Sequence, residues 1–374
     1  MELIVASKNL IADMVPALDI EGREHLVIVI KASWRIPSSG QRPQPIAPLP
    51  LEPSDLYLGE PGVSAMLYGS DLVRFKPRCD VLFNAHAYSP TGEPVTEMLV
   101  GWRIGKLKKG LRAIGPRVWQ KRLAWLSLSD PEPFMKLPLH FSLAYGGTRS
   151  WQEGSGDNKE TLSEALPTNP SGIGWAGKHT KDQLDGAPAP CLEGIGEPIK
   201  KPDGTYKPVA FSAIGRHWAP RKDYAGTYDA QWQSEIAPLL PHDFNELFHQ
   251  CAPEDQQMDY PQGGEPVVLK HMMAGRPDVR FPLPRLNHMK VRVLRTDYSA
   301  EEPAVVADTL YFEPDEERFS VIWRSSVPIR RRMQEFDTVA VGPVSAQWWN
   351  AKKSGVDPEC SGCGSDTQPA GVES

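Results

Sequence analysis

Cys360 and Cys363 form a CxxC pair near the end of the chain. A structural zinc site needs four ligands, and no second CxxC accompanies this one. The small polar residues around it read as a flexible tail (346–374) that keeps two thiols reduced. His242, His249 and Cys251 are a second candidate for metal binding. Cys251, however, falls on the apolar face of an expected helix over 242–252, capped by Asp243 and shared with Phe244, Leu247 and Phe248. There a buried structural thiol is expected. Asp229, Asp243, Glu254, Asp255 and Glu265 are the carboxylates from which a carbohydrate or cell-wall hydrolase would draw its pair. Asp229 in GTYD and Asp255 in APEDQ read better as turn and cap residues. No GxSxG, phosphate-binding loop or HExxH occurs, and the Gly-Ile-Gly runs at 172–174 and 194–196 read as loop glycines with no following helix. The expectation is a non-enzyme with no metal and no cofactor.

Another set of residues suits binding. His217, Trp218 and Arg221 are followed by Tyr228, Asp229 and Trp232, then by Asp255 and Gln256. Trp, Tyr and Arg anchor protein interfaces, and here they stand among turn formers. Large aromatics also plug cores, so each Trp has that second reading. Taken together, the eight residues are the candidate partner-binding set. Two basic clusters, Lys106–Arg112 and Arg330–Arg332, read as solvated turns or a rim for an acidic partner.

The elements that must position these residues are strands. In 25–36 the even residues Leu26, Ile28, Ile30, Ala32, Trp34 and Ile36 are apolar, so this face is expected in the core. Lys31, Ser33 and Arg35 on the odd face are expected in solvent. Six prolines between 37 and 53 predict an extended connector. Residues 80–88 and 97–104 are expected to pair as a hairpin across SPTGEP, with 105–110 turning the chain onward. Later strands are expected at 265–272, 289–295, 304–312 and 319–324, the last two joined by EPDEER. The stretch 127–265 has little periodicity, and 152–165 within it is the expected mobile part. Such a chain is mainly β: an antiparallel sandwich or open barrel, 1–345, with a long irregular, partly helical insertion.

Composition narrows the function further. The 374 residues carry 41 Lys+Arg against 47 Asp+Glu, a net charge of -6, which argues against nucleic-acid binding. With 37 Pro and 31 Gly, a helical bundle is excluded. The longest apolar run, Leu26–Ile30, is far below the roughly 20 residues of a membrane-spanning helix. The N-terminus lacks a signal-peptide pattern, so a cytoplasmic protein without membrane anchoring is expected.

The blocks HWAPR, AGTYDAQW, PLLPHDF, CAPEDQQ and GGE, in that order over 217–265, resemble the domain-of-unknown-function 2169 family. KPRCDVLFNAHAYSPTGEPV, VGWRIGKLKKGLRAIGPRVW, PEPFMKLPLHFSLAYGG, NPSGIG and the closing hairpin from Ala307 extend the resemblance over roughly 10–330. It implies an adaptor or chaperone that binds a type VI secretion effector, a PAAR-like spike-tip protein, or both, for loading. It carries over no catalytic residue. An exported component of the secretion spike is a further alternative.

Overall fold

The computed structural model describes residues 1–123, 125–153 and 160–356. The fold is mainly β, as expected, and among the described residues no sheet closes into a barrel. The largest sheet runs, from edge to edge, through strands Gln257–Met258, Cys79–Phe83, Val306–Glu313, Arg318–Pro328, Glu24–Arg35 and Ile11–Leu18, with Gln44–Ile46 paired to the end of Glu24–Arg35. A five-stranded sheet holds Leu192–Gly194, Leu107–Ile114, Glu97–Ile104, Pro266–Lys270 and Asp278–Pro282. A four-stranded sheet holds Glu2–Val5, Phe336–Val341, Val291–Arg295 and Ala300–Glu301. Most pairings are antiparallel; Cys79–Phe83 lies parallel to Val306–Glu313, and Glu2–Val5 parallel to Phe336–Val341.

One apolar core joins the three sheets. The even residues of Glu24–Arg35 pack there with Val100, Trp102 and Ile104 of the second sheet and Val291 and Val339 of the third. Register builds an aromatic row through it. Trp34 sits opposite Phe319, Phe319 opposite Phe312, and Phe312 opposite Phe83. Their ring centroids are 5.6, 5.3 and 5.0 Å apart, and Phe83 then meets Trp102 of the next sheet at 5.1 Å. Cross-strand aromatic pairs of this kind add to plain burial.

The odd face of Glu24–Arg35 departs from expectation. Lys31 and Ser33 are buried. The Lys31 ammonium donates to Asp71 Oδ2 at 3.1 Å and to the Pro50 carbonyl at 2.9 Å. The proline-rich connector is thus folded back over the sheet, where its carbonyls satisfy a charge that alternation alone would place in water. The expected hairpin of 80–88 with 97–104 is also corrected. Glu97–Ile104 pairs with Leu107–Ile114 across Gly105 and Lys106, and Gly105 takes φ 56°. A two-residue loop with a left-handed glycine closes a hairpin more directly than SPTGEP, so 105–110 is mostly strand. Cys79–Phe83 turns instead to the last hairpin, and His86–Tyr88 pairs with Lys136–Pro138.

The irregular middle contributes Leu139, Phe141, Phe211 and Trp218 to the same core. Thr148–Glu153 and Glu160–Ala165 pair as a hairpin; the rest of the stretch expected to be mobile lies outside the described residues. A helix, Ala346–Lys353, occupies the start of the expected tail and buries Trp349 against Leu294 and Ala340. The Cys360–Cys363 pair lies outside the described residues.

Candidate functional site

The candidate set divides into buried and surface residues. Trp218 is fully buried, edge-on to Phe141 at 5.6 Å, and its Nε1 donates to Nε2 of the exposed His217 at 3.0 Å. Arg221, expected to be an anchor, is buried instead. Its Nη1 donates to the Ile214 carbonyl at 2.7 Å, and its Nε and Nη2 to the Phe248 carbonyl at 3.1 and 2.9 Å. Carbonyl oxygens satisfy this guanidinium fork, which clamps two loop segments together. Gln256 is buried as well. Its Nε2 donates to the carbonyls of Val81 and Phe211 at 2.8 and 3.0 Å, and its Oε1 accepts from Lys109 Nζ at 2.8 Å.

Asp255 belongs to the same clamp, accepting from Lys109 at 2.8 Å and Lys207 at 3.3 Å. Burial pushes the Lys109 ammonium down to about 8, against the opposing pull of Asp255. The first basic cluster is therefore only partly a solvated turn. Lys109 is tied down, and Arg112 pairs with Glu97 and the buried Glu193, while Lys106 and Lys108 are exposed.

The remaining residues form an excursion over 225–243. Its neck is closed by Asp243, which accepts from the Thr227 amide at 2.9 Å and the Thr227 hydroxyl at 2.8 Å. Gly226 makes this closure possible: with φ 81°, any Cβ there would lie 2.8 Å from Asp243 Oδ1. The expected 242–252 helix is accordingly reduced to a 3-10 turn, Glu246–His249, capped by Asn245 rather than Asp243. Asp229 accepts from the Trp232 amide at 2.8 Å and caps the short helix Ala230–Glu235. The Trp232 indole donates to the Leu239 carbonyl at 3.0 Å and meets the Tyr228 ring edge-on at 4.7 Å. Tyr228 is 53% and Leu239 39% exposed. Leu239 also lies over Gly22, in the turn that exposes Ile20. The result is a small apolar knob held by its own hydrogen bonds. At its foot opens a cleft of about 350 Å³, bordered by Arg78, Pro220, Tyr224, Leu247, Glu254 and Gln257.

Behind this face lies a buried ionic core that sequence reading missed. Asp80 is fully buried and its carboxylate takes four hydrogen bonds: Lys76 Nζ at 2.9 Å, Gln250 Nε2 at 2.6 Å, and the amides of Cys251 and Ala252 at 2.8 and 3.2 Å. Lys76 also donates to Thr309 Oγ1, and Arg324 pairs with Asp308 at 2.6 Å. The partners are KPRCD and QCA (250–252): Gln250 and the backbone amides of Cys251 and Ala252 reach Asp80 from over 160 positions away. Burial pushes the Cys251 thiol up, as expected of a structural cysteine. Among the described residues, no group of three or more His, Cys, Asp or Glu could hold a metal ion.

Two histidines give this interior a pH signature. Burial, reinforced by Arg324 and Arg221, holds His249 down at about 3. Burial, reinforced by His86, holds His140 at about 4. Both lie below the value near 6.5 of an unfolded chain, so the unfolded chain binds more protons between these limits. The stability they confer is complete above pH 6.5 and is lost as pH falls toward 4. The slope is about 1.4 kcal/mol per pH unit for each histidine once the unfolded form is protonated. The urea midpoint is expected to be clearly lower at pH 5.0 than at 7.5; equal midpoints would contradict the assignment.

A sequence profile of the DUF2169 family, described as an uncharacterized protein conserved in bacteria, matches residues 21–324. The chain belongs to that family. No curated protein and no solved structure matches it.

Proposed function

We propose that this is a non-catalytic, cytoplasmic adaptor or chaperone that binds a type VI secretion effector, a PAAR-like spike-tip protein, or both, before export. The secretion context is what the resemblance carried by the ordered sequence blocks implies. The observation that carries a binding role is the division within the candidate set. Arg221, Gln256 and Asp255 are engaged in holding loops, while Tyr228 and part of Trp232 are presented, with Leu239 beside them, on a braced knob. An aromatic knob with its backbone already tied down loses little entropy on binding. An interface of standard size, about 1,600 Å², would extend from it over the adjoining cleft.

The hydrolase alternative draws less support from the geometry. Asp229 caps a helix, Asp243 closes the neck, Asp255 pairs with two lysines, and Glu265 accepts from the amides of Gln262 and Gly263. These four are committed locally, and Glu254 borders the cleft with no second carboxylate among the described residues that line it. The test is capture of partners by the tagged full chain from cells expressing the secretion genes. A stoichiometric effector or spike-tip protein supports the proposal. Its absence, or recovery of the chain itself among secreted spike components, counts against it.

A further inference from the structure

A second hollow lies at the margin between the largest sheet and the four-stranded sheet, with a volume of about 480 Å³. Its origin is in the strand pairing. Ile11–Leu18 covers the edge of Glu24–Arg35 up to the Ile11–Lys31 pair, and Gln44–Ile46 takes over at the Ser33–Ile46 pair. Between them stands Ala32, a single methyl between Ile30 and Trp34 on the even face. Trp34 and Trp323, with ring centroids 6.1 Å apart, line the hollow together with Leu10 and Met289. Folded interiors leave few voids larger than a water molecule, so an apolar hollow of this size open to solvent is unfilled binding surface.

Its charge narrows the occupant. Among the described residues, no Asp or Glu lines it; its polar members are Ser7, Asn9, His288 and Lys290. Among the described residues, the side chains of Asn9, His288 and Lys290 have no hydrogen-bond or ion-pair partner. A chain of net charge -6 thus carries here a mouth made of donors and a cation. As a cavity of about 150 Å³ lined by apolar side chains holds one benzene, this one, at about 480 Å³, has room for at least two bulky side chains.

We propose that the hollow receives one or two bulky apolar side chains of a partner polypeptide, from a segment in which an acidic residue adjoins them. The carboxylate lies against Lys290 and His288, and the apolar groups lie on Leu10, Met289 and the edge of Trp34, with the buried Trp323 behind them. None of the 225–243 residues lines this site, so it is a second anchor point. The inference rests on the binding-protein reading only in that its occupant is a polypeptide.

The test is selection of binders from a random twelve-residue peptide library on the purified full chain, followed by binding measurements on Met289→Trp, Lys290→Glu and Tyr228→Ala. Met289→Trp fills the hollow, and Lys290→Glu reverses the mouth at an exposed position. The expected peptides pair bulky apolar residues with a neighbouring Asp or Glu. They bind Met289→Trp and Lys290→Glu at least tenfold more weakly and Tyr228→Ala unchanged. Failure to enrich peptides, peptides without this pattern, or binders that lose affinity only on Tyr228→Ala would overturn the proposal. Because no secretion partner takes part, that failure leaves the capture experiment standing. Peptide binding without capture would instead count against the adaptor reading alone.

Discussion

Asp80→Ala is expected to cost about 3–5 kcal/mol of folding stability, the range for breaking a buried ion pair by removing one partner. Domains of this kind are stable by only about 5–15 kcal/mol, so the loss takes a large share. Two consequences of the substitution act together. Lys76 stays buried with Thr309 Oγ1 as its remaining side-chain partner, and the 250–252 segment loses the carboxylate that holds it to the sheet. The Lys76 ammonium shows how strong the coupling is: burial pulls its affinity for a proton down, yet Asp80 and the carboxylate of Asp308 raise it on balance. Urea unfolding measures the effect, and a loss below about 1 kcal/mol would show that the network is not what fixes these loops. Replacing both partners by apolar residues, Lys76→Met with Asp80→Leu, is expected to recover part of the loss, because no unpaired charge is then left inside.

Phe319→Ala is expected to cost about 3–5 kcal/mol by a different route. Phe319 is fully buried and touches three rings, Trp34, Phe312 and Phe281, at centroid distances of 5.6, 5.3 and 5.6 Å. Removing it opens a cavity in the middle of a row fixed by register on both sides, where neighbouring strands cannot close the gap. Phe319→Leu, which keeps most of the volume, is expected to cost clearly less. Equal losses for the two substitutions would contradict the packing account.

Residues with a strict local signature were legible in the sequence. The period-two pattern of 25–36 marks one central strand, and the turn in EPDEER marks the hairpin of Val306–Glu313 with Arg318–Pro328, because alternation and turn chemistry act over a few residues. The partners of Cys79–Phe83 were not legible, since a parallel neighbour over 220 residues away leaves no local trace. Lys31 looked solvated because alternation reports only which face a side chain takes, not what later folds over that face. The same limit divided the candidate site. Tyr228 was read as a binding aromatic and is exposed, and Trp232, left open between core and surface, is half-buried, whereas Arg221 and Gln256 look identical in sequence whether they grip a partner or their own backbone. The hollow at Trp34 and Trp323 was invisible, being built by residues from 7 to 343.

Tyr228→Ala tests the central claim most directly, that the braced knob rather than the polar signature meets the partner. Tyr228 is exposed and, among the described residues, its hydroxyl holds no other element, whereas Trp232→Ala would also release the Leu239 carbonyl. Affinity for the captured partner should be measured for the wild-type chain and for Tyr228→Ala, with urea unfolding of both as the control. A contact of the kind that anchors interfaces is worth about 2 kcal/mol or more, so affinity is expected to fall about 30-fold with an unchanged unfolding midpoint. Full affinity in Tyr228→Ala would contradict the account.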